Sequence, residues 1–404
     1  MKPGFFKGFK FSLYACLITS CLAGARAGVM DQWTTNQIGT NSFIPERVVF
    51  GNGIYVASAE YMDGIGIYTS TDGLHWVQQF SDLNSWGLML TYSDGQFAGV
   101  GGFGIVDTSE DGTNWTSSWL PVFDWDQPWP IAITAGDGVY VTVGGTNGVG
   151  YIQMSQDNRK WTLCEPQPSM GGPIASVAFG AGTFVAVGND DGLVYVSSDA
   201  FEGYEWNMHA IPGGNLVSYA NGLFFVPLNS QTNLLSLDGV AWSVQPTGLT
   251  NILGTVNYQN GIFMAQCFSM NGSYLATSVD GTNWIQYPQP LPRSAWGAAG
   301  DVGMASDGTR LVVVGAEVTG SGLNGLIYTS APLVDVQLAT NSSHSVVLSG
   351  LVGRNYQIQS TDVLPAVAGH WHTNVVFQLT SMQWNWTDTN TLDAACFYRG
   401  VLLP

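Results

Sequence analysis

One segment of the chain combines aromatic and acidic residues in the way that a sugar-binding cleft requires. Residues 119–129 contain three tryptophans and two aspartates. The flat face of an indole ring stacks on the C–H face of a pyranose, and a carboxylate accepts hydrogen bonds from its hydroxyl groups. Trp86 and Trp296 precede Asp-Gly pairs much as Trp129 does, so the three are expected at similar places. The alternative to ligand binding is that these tryptophans only pack in the interior. The predicted ligand-binding residues are Trp86, Asp124, Trp125, Asp126, Trp129, Arg293 and Trp296.

Catalysis is the second possibility that the acidic residues leave open. A glycosidase needs two carboxyl groups roughly 5 to 10 Å apart, and the sequence selects no such pair. Neighbouring aspartates would equally bind Ca²⁺ or lie solvated at loop ends. The carboxylates considered are those of Glu60, Asp63, Asp124, Asp126, Asp190, Asp191 and Glu317.

Other chemical signatures are missing from the sequence. His370 and His372 have no evident third partner, so the pair is interpreted as surface. There is no Gly-x-Ser-x-Gly motif and no phosphate-binding loop. We therefore predict no catalytic residue, no metal site and no cofactor.

A repeat explains where these residues would be placed. An apolar strand, an Asn-Gly, Asp-Gly or Ala-Gly turn, and an aromatic and β-branched strand recur seven times, about 40 residues apart. Such turns join two strands as a tight hairpin, and this period is typical of a four-stranded propeller blade. The first turns fall at residues 52–53, 94–95, 137–138, 181–182, 221–222, 260–261 and 307–308.

Six of the seven units have a second turn after their third strand, of the general form Ser-x-Asp-Gly-x-x-Trp. Serine and aspartate side chains commonly bond to the backbone of such turns. In the fourth unit an insertion separates Asp199 from Trp206. The remaining copies contain Ser70, Asp72, Trp76, Ser109, Asp111, Trp115, Ser155, Asp157, Trp161, Ser236, Asp238, Trp242, Ser278, Asp280 and Trp284.

This motif resembles the Asp-box of BNR-repeat proteins, a class of propellers that includes the sialidases. The resemblance covers about residues 31–331. It implies that serine and aspartate stabilise the turns and that the tryptophan packs between blades. A sialidase would also need three arginines around the substrate, and only Arg47, Arg293 and Arg310 remain outside the turns and the tail. The resemblance therefore favours a propeller that is not a sialidase.

The last unit lacks its own fourth strand. It ends at residues 328–332 without an Asp-Gly-x-x-Trp sequence, whereas residues 31–35 read Asp-Gln-Trp-Thr-Thr. An open edge at that point would invite aggregation. We therefore predict that residues 31–37 complete the last blade and that Trp33 closes the ring.

The repeat stops at Leu333, and short strands with alternating apolar residues follow. This tail is similar to a C-terminal module of exported proteins of Verrucomicrobia and their relatives, with Leu-x-Gly-Leu at its start and Phe-Tyr-Arg near its end. The resemblance implies attachment or spacing. We predict a small β-sandwich over residues 333–404.

The N-terminus has the features of an export signal. Three lysines precede an apolar run, and Ala25-Arg26-Ala27 offers a cleavage site after residue 27. Lipidation at Cys21 is the alternative. Removing residues 1–27 takes away four basic residues and no acidic one, so the net charge of −18 would become about −22. Nucleic acid and anionic lipid are therefore poor partners.

Together these patterns predict an all-β protein with a seven-bladed propeller at residues 28–332, closed by its N-terminal strand. We expect a secreted, periplasmic or cell-surface bacterial protein that does not span the membrane. Its expected role is non-catalytic binding or scaffolding, with glycan or protein recognised at the propeller funnel. The alternative is a glycan-active hydrolase or lyase that uses funnel carboxylates. The sequence does not indicate an oligomeric state.

Overall fold

The computed structural model describes most of the chain as two compact units. The N-terminal unit lies within Met30–Ala331 and the C-terminal unit within Pro332–Pro404. The predicted export segment lies outside the described residues. None of the described helical segments is long and apolar enough to cross a membrane. The description covers residues 33–403 except 39–43, 62–63, 83–86, 121–128, 147–148, 165–171, 190, 199–204, 260, 270–271, 292–302, 320–321, 339–344, 353, 362–370, 381–382 and 388–396.

The N-terminal unit is built almost wholly from β-strands. In chain order they are β1 (Trp33–Asn36), β2 (Ile44–Gly51), β3 (Ile54–Tyr61), β4 (Gly64–Ser70), β5 (Val77–Asp82), β6 (Leu88–Ser93), β7 (Gln96–Gly101), β8 (Ile105–Ser109), β9 (Thr116–Trp119), β10 (Trp129–Gly136), β11 (Val139–Thr146), β12 (Val149–Ser155), β13 (Thr162–Cys164), β14 (Ile174–Gly180), β15 (Thr183–Gly188), β16 (Leu193–Ser197), β17 (Asn207–Ala210), β18 (Ser218–Ala220), β19 (Leu223–Pro227), β20 (Thr232–Ser236), β21 (Ser243–Pro246), β22 (Ile252–Gln259), β23 (Ile262–Ser269), β24 (Gly272–Ser278), β25 (Trp284–Leu291), β26 (Met304–Ser306), β27 (Leu311–Thr319) and β28 (Gly322–Ser330). A short 3₁₀ turn at Gly102–Gly104 joins β7 to β8.

These strands form repeated four-stranded antiparallel sheets, seven within the described residues. Sheets I to VI each take four successive strands, β2–β5, β6–β9, β10–β13, β14–β17, β18–β21 and β22–β25. Sheet VII has the order β26-β27-β28-β1, so its fourth strand comes from the N-terminal segment. Trp33 of β1 lies opposite Ser330 of β28, and Asn36 lies opposite Ile327.

Left-handed backbone conformations make the first turn tight in five of the seven sheets. Asn52, Asp94, Asp137, Ala181 and Asn221 all have φ between 46 and 51°, and each is followed by a glycine with positive φ. Two consecutive residues of this kind give the hairpin turn whose twist matches that of the flanking strands. The first two strands of these sheets are joined in this way.

Hydrogen bonds within the second turn of sheet I explain its Ser-x-Asp-Gly sequence. Ser70 Oγ accepts the N–H of Gly73 at 2.8 Å, and Asp72 Oδ1 accepts the N–H of His75 at 2.8 Å. Trp76 Nε1 donates to the carbonyl of Gly73 at 3.0 Å. The same three contacts recur in the turns at residues 109–115, 236–242 and 278–284.

Apolar side chains fill the space between neighbouring sheets. Between sheets I and II, for example, Val56, Ile67, Leu88 and Phe97 are buried together, and Trp115 packs against them. Each turn tryptophan occupies the matching place against the cluster that its own sheet shares with the preceding one. These tryptophans are Trp76, Trp115, Trp161, Trp206, Trp242 and Trp284.

The strand directions give the unit two different faces. In sheet I the turns after β2 and after β4 lie at one end, and the connection from β3 to β4 lies at the other. Asn52 Nδ2 in the first of these turns donates to the carbonyls of Gly95 and Glu110 in two turns of sheet II. We call this end the turn face and the opposite end the mouth face.

The C-terminal unit has two three-stranded sheets within its described residues. Its strands are β29 (Val334–Leu338), β30 (Ser345–Gly350), β31 (Asn355–Thr361), β32 (His372–Gln378), β33 (Gln383–Thr387) and β34 (Phe397–Leu402). The sheet orders are β29-β30-β33 and β32-β31-β34. Both sheets contribute to one buried core that includes Val346, Leu348, Tyr356, Ile358 and Tyr398.

Candidate functional site

The first strands of the seven sheets line a common cavity of about 430 Å³ in the N-terminal unit. Among the described residues of its wall, Arg47 is the one charged residue; the others are apolar, hydroxyl-bearing or amide residues. The wall consists of residues 47–50, 89–93, 131–134, 175–179, 216–219, 255–259, 264, 303–306 and 311. A cavity of this volume is within the range of small-ligand sites.

Aromatic side chains line the turn-face end of this cavity. Phe50, Tyr92, Phe179, Tyr219 and Tyr258 each stand two residues before the first turn of a sheet and contribute to the cavity wall. Each ring also packs, tilted, on an aromatic residue of the second strand of its own sheet, with centroids 4.5–4.8 Å apart. Such tilted pairs are a favourable arrangement of two aromatic quadrupoles. A ligand in the cavity would therefore meet flat apolar surface at its inner end.

Glycines allow these rings to lie flat against the preceding sheet. A Cβ at Gly136 would overlap the ring of Phe179, and a Cβ at Gly180 would overlap the ring of Tyr219. A larger residue would push the ring into the cavity or separate the two sheets. The glycines at the ends of the first strands therefore help to determine the cavity shape.

Two glutamates and the cavity arginine form a cluster near the mouth face. A bulge at Pro45–Arg47 shifts the register of β2 against β3, at the point where Glu46 lies. Glu60 on β3 is half-buried and hydrogen-bonded to Glu46. Burial, the charge of Glu46 and this hydrogen bond raise the pKa of Glu60 to about 7. Burial lowers the pKa of Arg47 to about 10, partly opposed by the charge of Glu46, and Arg47 stays cationic at neutral pH.

The Glu60 carboxyl should make the stability of the N-terminal unit depend on pH. Its pKa is higher in the folded chain than in the unfolded one, so its stabilising effect is present at acidic pH and is lost as pH rises through about 7. Glu60→Gln should therefore raise the free energy of unfolding at pH 8 by about 1–2 kcal/mol, after allowance for solvent screening, and leave it unchanged at pH 4. Urea unfolding at pH 4, 6 and 8 measures this difference. Glu205→Gln, at an exposed position, is the control, and a Glu60→Gln difference that is equal at all three pH values would contradict the prediction.

Most of the predicted ligand-binding residues lie outside the described residues. These are Trp86, Asp124, Trp125, Asp126, Arg293 and Trp296. Trp129 is the first residue of β10, where its backbone is paired with Gly145 of β11. Its strand is the first strand of sheet III, and residues 131–134 of the same strand contribute to the cavity wall.

The other predicted carboxylates are not brought together in the described part of the chain. Asp191 Oδ1 accepts the N–H of Leu193 at 2.9 Å and so stabilises the connection between β15 and β16. Glu317 lies on β27, and Asp63, Asp190, Asp124 and Asp126 fall outside the described residues. Nor do the described residues contain three or more His, Cys, Asp or Glu side chains arranged to hold a metal ion.

The aspartates of the Ser-x-Asp turns are held by the turn backbone. The N–H of Asn114, with the side-chain amide of Asn114 and the N–H of Thr113, lowers the pKa of Asp111 below its usual range. The N–H groups of Ala241 and Val240 lower the pKa of Asp238 in the same way. These carboxylates are charged at neutral pH, and their oxygens are already engaged by the turn backbone.

Two features of the cavity and its surroundings were not predicted from the sequence. The aromatic residues that line it had a visible signal, because an aromatic residue stands two positions before the first turn in five of the seven repeats. The contact between Glu46 and Glu60 had none, since it depends on the bulge at Pro45–Arg47.

Comparison with known proteins supports the fold and no family. Repeated four-stranded sheets around a shared cavity define a β-propeller, and solved β-propeller structures resemble this chain. No protein-family model matches the chain. No curated protein matches it either.

Three of these structures show how distant the resemblance is. A structure titled YCF48 bound to D1 peptide has 13% identity and a TM-score of 0.52, covering 74% of this chain and 95% of its own. A catalytically inactive virginiamycin B lyase from Staphylococcus aureus with quinupristin has 13% identity and a TM-score of 0.57, covering 74% and 99%. A streptogramin B lyase has 11% identity and a TM-score of 0.56, covering 76% and 100%. At these identities the similarity concerns the fold alone.

Proposed function

We propose that this chain is an exported, non-catalytic binding or scaffold protein whose ligand is held at the mouth face of the N-terminal unit. The observation that carries the proposal is the cavity, whose described wall residues are neutral apart from Arg47 and include aromatic rings at the turn-face end. Such a wall provides apolar contact area and hydrogen bonds, as ligand-binding pockets do.

The architecture that we propose is a closed ring of seven blades of the Asp-box class, followed by a small β-sandwich. Support comes from contacts between successive first strands, from β2 to β6 and onward to β22 and β26, and from the contact of β26 with β2. The pairing of β1 with β28 supports closure by the N-terminal strand. The hydrogen bonds of the Ser-x-Asp turns support the Asp-box assignment.

Glycan is the ligand class that we place first. The tryptophans at positions 86, 125, 129 and 296, with Asp124, Asp126 and Arg293, precede or begin first strands in the sequence, and this order predicts that they belong to the mouth face. Stacking and hydroxyl recognition are the chemistry that this composition offers. A protein loop is the other ligand considered, and a protein of similar fold is known bound to a peptide.

A glycan-active hydrolase or lyase is the alternative, and one observation favours it. The Glu46–Glu60 pair supplies an acid that titrates near neutrality, as general acids and bases do. Its two carboxyl groups are, however, in hydrogen-bonding contact, closer than the roughly 5 Å or more that separates the pair in a glycosidase. This geometry favours a binding protein over a glycosidase.

A glycan and peptide array screened with the full chain tests the proposal. We expect a ligand whose affinity falls about tenfold in Trp129→Ala, since one stacked ring contributes on the order of 1 kcal/mol or more. Leu237→Ala is the control, because Leu237 is 71% exposed in the Ser-x-Asp turn of sheet V, on the turn face. The ligand recovered after incubation with the chain should have an unchanged mass, because a binding protein does not cleave it. Failure to bind any ligand would refute binding, and a cleaved ligand would establish the enzyme.

A further inference from the structure

A polar surface on the C-terminal unit has the properties of a second binding site. Along β31 the side chains alternate, so that Tyr356 and Ile358 are buried in the core while Gln357 and Gln359 remain partly exposed on the other side. The outer side of the sheet β32-β31-β34 therefore presents amides on its central strand, with Val376 and Val401 beside Gln357. We call it the outer face of the C-terminal unit.

Hydrogen bonds connect side chains across all three strands of this face. Gln359 lies opposite Thr373 of β32 and opposite Arg399 of β34. Arg399 Nε donates to Gln359 Oε1 at 2.8 Å, and Gln359 Nε2 donates to Thr373 Oγ1 at 3.3 Å. Thr373 Oγ1 in turn donates to Gln357 Oε1 at 3.3 Å. The row is thus held in one conformation, which reduces the side-chain entropy that a ligand would have to remove.

An aromatic ring lies over this row. The guanidinium carbon of Arg399 is 4.2 Å from the centroid of the Trp371 ring, a cation–π contact. Burial lowers the pKa of Arg399, which is consistent with the covering ring. Trp371 itself is still partly exposed. The indole is therefore fixed beside the amide and hydroxyl groups of the same face.

We propose that the outer face of the C-terminal unit binds a neutral polysaccharide. A sugar ring stacks on Trp371, and its hydroxyl groups bond to the amides of Gln357 and Gln359 and to the hydroxyl of Thr373. Amides and hydroxyls offer both donors and acceptors, as sugar hydroxyls require. Arg399 is the one charged group in the row, and the chain as a whole carries −18, so an anionic polymer would be repelled.

Affinity electrophoresis and pull-down of the full chain test this proposal. The probes are soluble β-glucan, xylan and mannan, and insoluble cellulose and chitin. We expect retention by at least one of them, unchanged by added 0.5 M NaCl, because screening by roughly that concentration weakens only charge-driven binding. Trp371→Ala should weaken retention about tenfold and Gln359→Ala several-fold.

Matched variants make each outcome decisive. Leu237→Ala, a 71% exposed position in a Ser-x-Asp turn of the N-terminal unit, and Asn385→Ala, an exposed position on β33 of the other sheet, should bind within about twofold of wild type. The melting temperature of each variant shows that the fold is kept. The proposal is overturned if no probe retains the wild-type chain. It is also overturned if Trp371→Ala and Gln359→Ala are retained as strongly as wild type. If retention is lost in Trp129→Ala and kept in Trp371→Ala, the proposal is also overturned. That result would support the site proposed for the N-terminal unit instead.

Discussion

Deleting residues 31–37 is expected to destabilise the whole N-terminal unit, although it removes only the first strand. β1 supplies the fourth strand of sheet VII, with four residue pairs from Trp33–Ser330 to Asn36–Ile327. Without β1, β28 would have an open edge. Ile38, which is 3% exposed in the core between sheets I and VII, would no longer be held in place by the strand before it. Lost backbone hydrogen bonds and the exposure of the partly buried Trp33 amount to about 5 kcal/mol, close to the entire stability of many domains.

Urea and thermal unfolding of two chains measure this effect. One chain begins at residue 31 and the other at residue 38, so both lack the predicted export segment. We expect the shorter chain to unfold at much lower urea concentration and to be stabilised by a peptide of residues 31–37 added in trans. Thr34→Ala, at an exposed position of β1, should have little effect. Equal midpoints for the two chains would refute closure by β1.

Replacement of Gly112 by alanine should have the second large effect. Gly112 belongs to the Ser-x-Asp turn of sheet II, has φ of +76°, and a Cβ there would stand 2.8 Å from Val56 Cγ2 of sheet I. Gly95→Ala is an unusually close control, since Gly95 has φ of +78° and open space around its Cβ position. Both variants strain the backbone by about 1–2 kcal/mol, whereas Gly112→Ala also forces two sheets apart, adding about 1–3 kcal/mol.

Chemical unfolding of both glycine variants separates the two contributions. We expect Gly95→Ala to be destabilised by about 1–2 kcal/mol and Gly112→Ala by about 2–5 kcal/mol. A double variant Gly112→Ala with Val56→Ala should be less destabilised than the sum of the two single variants, because Val56 is fully buried and its truncation is costly alone but vacates the space that the new methyl group needs. Equal destabilisation by the two single variants would show that the turn does not press on the neighbouring sheet.

The repeated sheets could be predicted from the sequence because their turns have local causes. Residue pairs such as Asn52-Gly53 and Asp94-Gly95 specify hairpins through positive φ alone. Likewise the Ser70-to-Trp76 sequence forms its hydrogen bonds among its own residues. Features of this kind depend only on residues that are close together in the chain, so the sequence alone is enough to predict them.

The contact between Glu46 and Glu60 depends on a feature that no local pattern specifies. The register shift between Pro45 and Arg47 occurs at Glu46, whose hydrogen bond with Glu60 raises the pKa of Glu60. Similar shifts occur near the start of β10, β14 and β22. A bulge adds one residue to one strand of a pair and changes the direction of the side chains that follow. The alternation of apolar and polar residues therefore predicts which side of the sheet each side chain faces only as far as the bulge.

Hydrogen–deuterium exchange with the ligand bound is the measurement that tests the central proposal most directly. If the ligand is held at the mouth face, exchange should slow in peptides that contain residues 44–47, 59–66 and 129–132. Exchange in the Ser-x-Asp turns at residues 70–76, 109–115 and 278–284 should stay unchanged. Slowing confined to those turns, with the mouth-face peptides unaffected, would contradict the proposed site.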